Sequence, residues 1–156
     1  MKAIHGVVSI MKKILVSYDG SEAAKKAIEM TKKFANVDDE LTILTVIPAE
    51  LVESSFTKML LPTIDMASMA KSGSFKEKAM ESLSGIAGGL ESFVGKINLA
   101  VESGDPADEI LLTAKKIETD VIIIGYKGYG KEGRFLLGSV TDKVVRSASS
   151  SVLVAR

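Results

Sequence analysis

Gly125, Gly128, Gly138 and Ser139 carry the chemistry of this chain, spaced as Gly-x2-Gly-x9-Gly-Ser directly after the apolar run Val121-Ile122-Ile123-Ile124. A β-branched run of this kind predicts a strand buried on both faces, as in a parallel sheet. Glycines at its carboxyl end let the backbone turn sharply and come close to a ligand. The segment after Gly138 predicts a helix, whose free N–H groups and positive dipole end favour an anion. Strand, glycine loop and helix start together suit a phosphate group.

Two other glycine patterns share the loop. Gly128-x-Gly130-x-x-Gly133 has the dinucleotide-binding spacing, but it does not follow the strand immediately and lacks the required acid about 20 residues later. Gly125-x4-Gly130-Lys131 approaches a P-loop, yet Glu132 stands where a Ser or Thr would hold Mg²⁺.

Composition narrows the alternatives. His5 is the only histidine and the chain has no cysteine. Ser/His/Asp triads, Cys/His dyads, disulfides and histidine-rich metal sites therefore lack their material. Twenty basic residues balance twenty acidic ones, which gives no electrostatic footprint for nucleic acid or an anionic membrane. No apolar stretch approaches the roughly 20 residues needed to span a bilayer. The first ten residues are too short for a signal peptide, so a cytoplasmic location is expected. At 156 residues, 46% hydrophobic and 26% charged, the chain suits a single ordinary domain.

The elements that position the glycines follow from periodicity. Residues 13–18 read as a first strand ended by Asp19-Gly20, and 21–35 as a helix with apolar residues at helical spacing. Residues 41–47 form a second strand, stopped by Pro48. Residues 49–73, rich in methionine and interrupted by Pro62, fit no single element. Phe75 to Val94 then show a long helical stripe, weakened by Gly85, Gly88 and Gly89. Residues 97–101 form a third strand, with Glu102-Ser103-Gly104 after it. Asp105-Pro106-Ala107-Asp108 is a helix start, with Asp105 as N-cap and Pro106 at the first position. After the fourth strand, residues 139–147 form a short helix whose Ser139-x-x-Asp142 resembles a capping box. Residues 151–155 are the fifth strand. This alternation predicts an α/β, Rossmann-like open five-stranded parallel sheet, with right-handed crossovers and helices on both faces. Ligands bind such sheets beyond the carboxyl ends of the strands, where the winding reverses. Asp19 and Gly125 both border that crevice.

Four stretches, in this order, resemble the universal stress protein family, specifically its ATP-binding branch. They are Ile14-Leu15-Val16-Ser17-Tyr18-Asp19-Gly20-Ser21, Ser103-Gly104-Asp105-Pro106-Ala107, Gly125 to Thr141, and the closing Ser150-Ser151-Val152-Leu153-Val154-Ala155-Arg156. The resemblance implies one domain over residues 11–156, a fold of the adenine nucleotide α-hydrolase type, a variable segment at 49–73, and an N-terminal extension at 1–10. It implies a regulator that binds ATP, ADP or AMP, with Mg²⁺ or Mn²⁺ held only through the phosphates. Asp19 should then lie near adenine and ribose, and Val46 should lend backbone contacts to the base. Gly125 should approach the ribose, and Gly128, Gly138, Ser139, Val140 and Thr141 should surround the phosphates. The family's habit implies a homodimer through the last strand, which should also be a sheet edge. Slow ATP hydrolysis or autophosphorylation is an alternative, although no catalytic base or Walker aspartate stands out. A nucleotide-free dimeric module is another. Plainer roles also exist: Asp19 capping a turn, Ser139 as N-cap, and Lys127, Lys131, Arg134 and Lys143 as solvated charges. The chain departs from the family at Ser149-Ser150-Ser151, where a proline is frequent.

Overall fold

The computed structural model describes residues 10–49, 72–128 and 137–156. The extension 1–10, apart from Ile10, and nearly all of the variable segment 49–73 lie outside them. So do Gly130, Lys131, Gly133 and Arg134 of the two competing glycine patterns.

Strand β1 (Lys13–Ser17) carries Ile14, Leu15 and Val16, all fully buried, so consecutive side chains enter opposite faces of the sheet. Helix α1 (Glu22–Phe34) starts where the Ser21 hydroxyl accepts the Ala24 N–H at 3.1 Å. Its buried stripe is Ala23, Ala24, Ala27, Ile28 and Thr31, and Lys32 and Lys33 complement its carboxyl end. Asp39 then pins the amino end of the sheet. Its buried carboxylate accepts the Lys12 and Asn36 N–H groups, each at 2.8 Å, and meets the Lys12 ammonium at 2.8 Å.

Strands β2 (Glu40–Pro48) and β3 (Lys96–Gly104) pair along their whole length, from Glu40 opposite Lys96 to Pro48 opposite Gly104. Both run further than their composition suggests. Glu102-Ser103-Gly104 stays in the ladder because β2 supplies partners for its backbone. Pro48 is tolerated by alternation. The Leu44 carbonyl accepts the Tyr18 N–H at 2.8 Å, so the backbone polar groups of Leu44, Val46 and Pro48 face the β1 side. β1 pairs with β2 only as far as Leu44, and the missing proline N–H therefore breaks no ladder bond.

Helix α2 (Ser72–Gly88) stops short of the expected Val94. Gly88 and Gly89 lower helix propensity at this point, and the chain tightens into turns, with Gly89 N–H donating to Ile86 and Leu90 N–H to Ala87. Leu83, Leu90 and Val94 are buried all the same. Helix α3 (Pro106–Lys116) begins as expected: Asp105 is the N-cap, accepting the Asp108 N–H at 3.0 Å. It ends with Glu118 at φ 53°, while Thr119 N–H reaches back to the Ala114 carbonyl at 2.9 Å. That is a Schellman-type end with glutamate where glycine is usual.

Strand β4 (Val121–Gly125) is buried throughout, followed by α4 (Ser139–Ser147) and β5 (Ser151–Ala155). The five strands are parallel in the order β3-β2-β1-β4-β5, which leaves β5 at an edge. One core, around Ile14, Val16, Leu41, Ile43 and Ile123, receives Ala27 and Ile28 of α1 and Leu83 of α2. The other, around Leu15, Leu44, Ile122 and Ile124, receives Ala107, Ile110 and Ala114 of α3 and Val144 of α4. Winding reverses between β1 and β4.

Candidate functional site

The carboxyl ends of β1 and β4 meet at this reversal, and three close approaches build the site there. The first joins the two strand ends. Asp19 follows β1, and its Oδ1 accepts the Ser21 N–H at 2.9 Å. Its other oxygen lies so near Gly128 that a Cβ at Gly128 would sit 2.8 Å from it. Asp19 and Gly128 are both exposed, so the carboxylate stands open beside the glycine turn.

The second approach seats α1. A Cβ at buried Gly125 would lie 2.6 Å from the Ala23 carbonyl carbon, so only glycine lets the first turn of α1 rest on the end of β4. The third sets α4. Gly138 donates its N–H to the Tyr126 carbonyl at 2.8 Å, and a Cβ there would lie 2.9 Å from the Lys127 Cα. Thr141, buried in the first turn of α4, donates its hydroxyl to the Gly125 carbonyl at 2.8 Å.

The consequence is an open helix start. Gly138 is the N-cap of α4 and offers no side-chain hydrogen bond. The first intrahelical bond runs from Asp142 N–H to the Gly138 carbonyl at 2.8 Å. The N–H groups of Ser139, Val140 and Thr141 precede it, and with the helix dipole they form an anion-favouring end. Val46 stands one strand away on β2, its backbone polar groups turned to the side where β1 has already ended.

Other features at this end settle the charges. Lys143 of α4 bridges Asp105 at 3.2 Å and Asp108 at 2.8 Å. The Asp108 N–H and then Lys143 hold the Asp105 pKa below the ordinary carboxylate value. Asp108 and then Asp105 raise that of Lys143. The Tyr126 ring lies under two cations, Lys127 Nζ at 5.3 Å and the Arg156 guanidinium at 5.8 Å from its centroid. Among the described residues, no cluster of three or more His, Cys, Asp or Glu is placed to hold a metal.

A cavity of about 260 Å³ lies at the opposite, amino end of the sheet, between Lys13, Glu40, Asn98 and Lys116. Several of its polar groups already satisfy one another, Glu40 with Lys96 and Asn98 and Lys13 with Glu118. No set of groups converges there as at the β1–β4 end.

The model of the universal stress protein family matches residues 11–156. The chain belongs to the universal stress protein family. A relative from Methanocaldococcus jannaschii is 30% identical over 95% of this chain and 84% of its own length. The solved structure of a second protein from that archaeon is also 30% identical, with a TM-score of 0.76 over 94% of this chain and 96% of the other. More distant family structures share the fold. One from Arabidopsis thaliana, 20% identical with a TM-score of 0.63 over 92% of this chain and 90% of its own, has AMP bound. Another, 18% identical with a TM-score of 0.58 over 95% and 98%, is in complex with cAMP.

Within this universal stress protein two local expectations need correction. Gly138, not Ser139, caps α4, and Ser139 is the first helical residue. The capping box is absent because Gly138, drawn against Lys127 and Tyr126, takes the cap position, while the helix keeps its expected bounds of 139–147. Asp142 pairs instead with Arg146 at 2.9 Å, one turn along α4. Lys143 is exposed, as expected of a solvated charge, and in addition pairs with two carboxylates. That pairing leaves no local signal, because Asp105 and Lys143 are 38 positions apart. Nothing in the described helices is long and apolar enough to cross a membrane.

Proposed function

We propose that this universal stress protein binds an adenine nucleotide, ATP or its ADP and AMP relatives, at the β1–β4 reversal and acts as a nucleotide-dependent regulator. The observation that carries the reading is the uncapped first turn of α4, locked against β4 by Gly138 and Thr141. Ser139, Val140 and Thr141 offer their N–H groups to phosphate oxygens, and Gly128 and Gly138 leave room for the backbone to approach. The exposed Asp19 carboxylate accepts hydrogen bonds from ribose hydroxyls or the base. Val46 presents backbone donor and acceptor to the adenine edge. Gly125 keeps the ribose end of the crevice narrow by admitting α1. Mg²⁺ or Mn²⁺ enters through the phosphates. AMP and cAMP in related structures support the ligand class.

The same reading includes a homodimer. β5 is an edge strand with an exposed Ser151 and half-buried Val152, Leu153 and Val154, the kind of edge a two-fold partner covers.

Denaturing freshly purified protein and analysing the supernatant by chromatography and mass spectrometry tests the ligand. Near-stoichiometric ATP supports binding with slow turnover, whereas ADP or AMP moves the weight to hydrolysis or energy sensing. Protein that carries no nucleotide and takes up none when ATP and Mg²⁺ are added refutes the proposal. Light scattering that shows a monomer throughout the micromolar range refutes the dimer.

A further inference from the structure

We infer that Lys143 is an electrostatic positioning residue for the anion site: it offsets one of the two carboxylate charges at the start of α3, which would otherwise repel an anion at the first turn of α4 more strongly. The inference rests on the proposed nucleotide reading of that turn. α3 and α4 pack against each other, and Lys143 reaches across to Asp105 at 3.2 Å and Asp108 at 2.8 Å. Ser139 lies one helical turn before Lys143 on the same helix. A third acid, Asp142, sits in the first turn itself and is answered by Arg146 at 2.9 Å. α4 thus carries two cations, each paired with acids of α3 or of its own first turn.

Stability does not account for this arrangement. The Lys143, Asp105 and Asp108 side chains are each about half exposed, and ion pairs in that setting add little to folding. Their effect on a ligand differs in kind. A polyphosphate sums its attraction or repulsion over several charges, and Lys143 lies about one helical turn from Ser139, within the Debye length at moderate salt. Without Lys143 the α3 acids would face that ligand uncompensated. Lys143 acts from a distance, through the field, and touches carboxylates rather than phosphate.

The test measures ATP·Mg²⁺ affinity by titration calorimetry for the wild type, Lys143→Met, Lys143→Arg, Asp108→Asn and the Asp108→Asn/Lys143→Met double variant. At low ionic strength, about 0.02 M, Lys143→Met should weaken binding about threefold. The arginine variant should bind as wild type, the double variant should recover most of the loss, and AMP should be affected less than ATP. At about 0.5 M salt the difference should vanish. Equal affinities at low salt overturn the inference. So does a loss that persists at high salt without rescue, since that marks a purely structural role. Wild-type protein with no affinity for ATP overturns the nucleotide reading, and this inference with it. Wild-type binding with an indifferent Lys143→Met overturns the inference alone.

Discussion

The Thr141 hydroxyl and the Gly125 carbonyl, 16 residues apart in sequence, are joined by a buried hydrogen bond of 2.8 Å. The bond fastens the first turn of α4 to the end of β4 and fixes where the open N–H groups stand. It also makes Thr141 a structural member of the site: its hydroxyl donates inward, and its backbone N–H is what remains for a ligand.

Thr141→Val should therefore destabilise the fold by about 1–3 kcal/mol, the cost of leaving a buried carbonyl without its partner. Thr141→Ser should recover most of that. Urea unfolding of the three proteins gives the comparison, and a Thr141→Val midpoint equal to wild type would show that the bond contributes nothing.

Gly125 and Gly128 should separate stability from binding. Alanine at Gly125 meets the Ala23 backbone, which cannot yield without moving α1, and should cost about 1–3 kcal/mol. Alanine at Gly128 meets only the end of the exposed Asp19 side chain. It should leave the melting temperature nearly unchanged while displacing that carboxylate and weakening ATP retention. A Gly128→Ala protein that retains nucleotide like wild type contradicts the role given to Asp19.

Asp39 should shape the acid limb of the stability curve. Burial works to raise its pKa, but the Lys12 ammonium and the Lys12 and Asn36 N–H groups outweigh it and hold the value below the ordinary one. A carboxylate with a depressed folded-state pKa stabilises the protein above its unfolded value, about 3.9, and that share is lost as pH falls through the folded value. Asp39→Asn should lower stability by about 1–3 kcal/mol at neutral pH, because a charged acceptor buried against the Lys12 and Asn36 N–H groups is lost. As pH falls below the unfolded value, about 3.9, the gap to wild type should narrow. Urea midpoints measured from pH 7 down to about pH 3 test the sign. A gap that stays constant with pH would remove the electrostatic explanation.

Glu118 offers a change in the opposite direction. Its φ of 53° is left-handed, which costs an L-residue about 1–2 kcal/mol. Glycine removes that strain but adds backbone entropy to the unfolded chain, about 0.5–1 kcal/mol. Glu118→Gly should thus stabilise the protein by up to about 1 kcal/mol. The Lys13 contact it gives up is 3.8 Å long on a largely exposed side chain and adds little. A lower melting temperature in the variant would show that Glu118 does more than end α3.

The element order and the sheet were legible because each rests on local information. Continuous apolar runs marked the strands, and Asp105 announced its helix through a side-chain oxygen at the right position. Asp19 and the glycines were placed at the reversal by topology alone. What the residues did not reveal depends on partners distant in sequence. β3 runs to Gly104 because β2 does, and α2 stops at Gly88 although apolar periodicity continues to Val94. The start of α4 is set by Lys127 and Tyr126, not by the Ser139-to-Asp142 spacing. The Lys143 pairings and the Arg156 guanidinium on Tyr126 join residues that no window along the chain would bring together.

One arrangement at the centre of the sheet governs when the fold can form. β1 has β4 as one of its two neighbours, and Lys13 N–H bonds Asp120, 107 residues later, at 2.7 Å. α1 packs on β4 and β5 as well as on β1. The first strand and helix are therefore made on the ribosome long before the surfaces that cover them. They wait, incompletely buried, until the last third of the chain has emerged. Closing so long a loop is slow, and the molecule should assemble in one late step after synthesis. A nascent chain halted before Val121 would expose an unpaired strand edge and the apolar face of α1, which makes that interval the one in which this protein most needs protection from its neighbours.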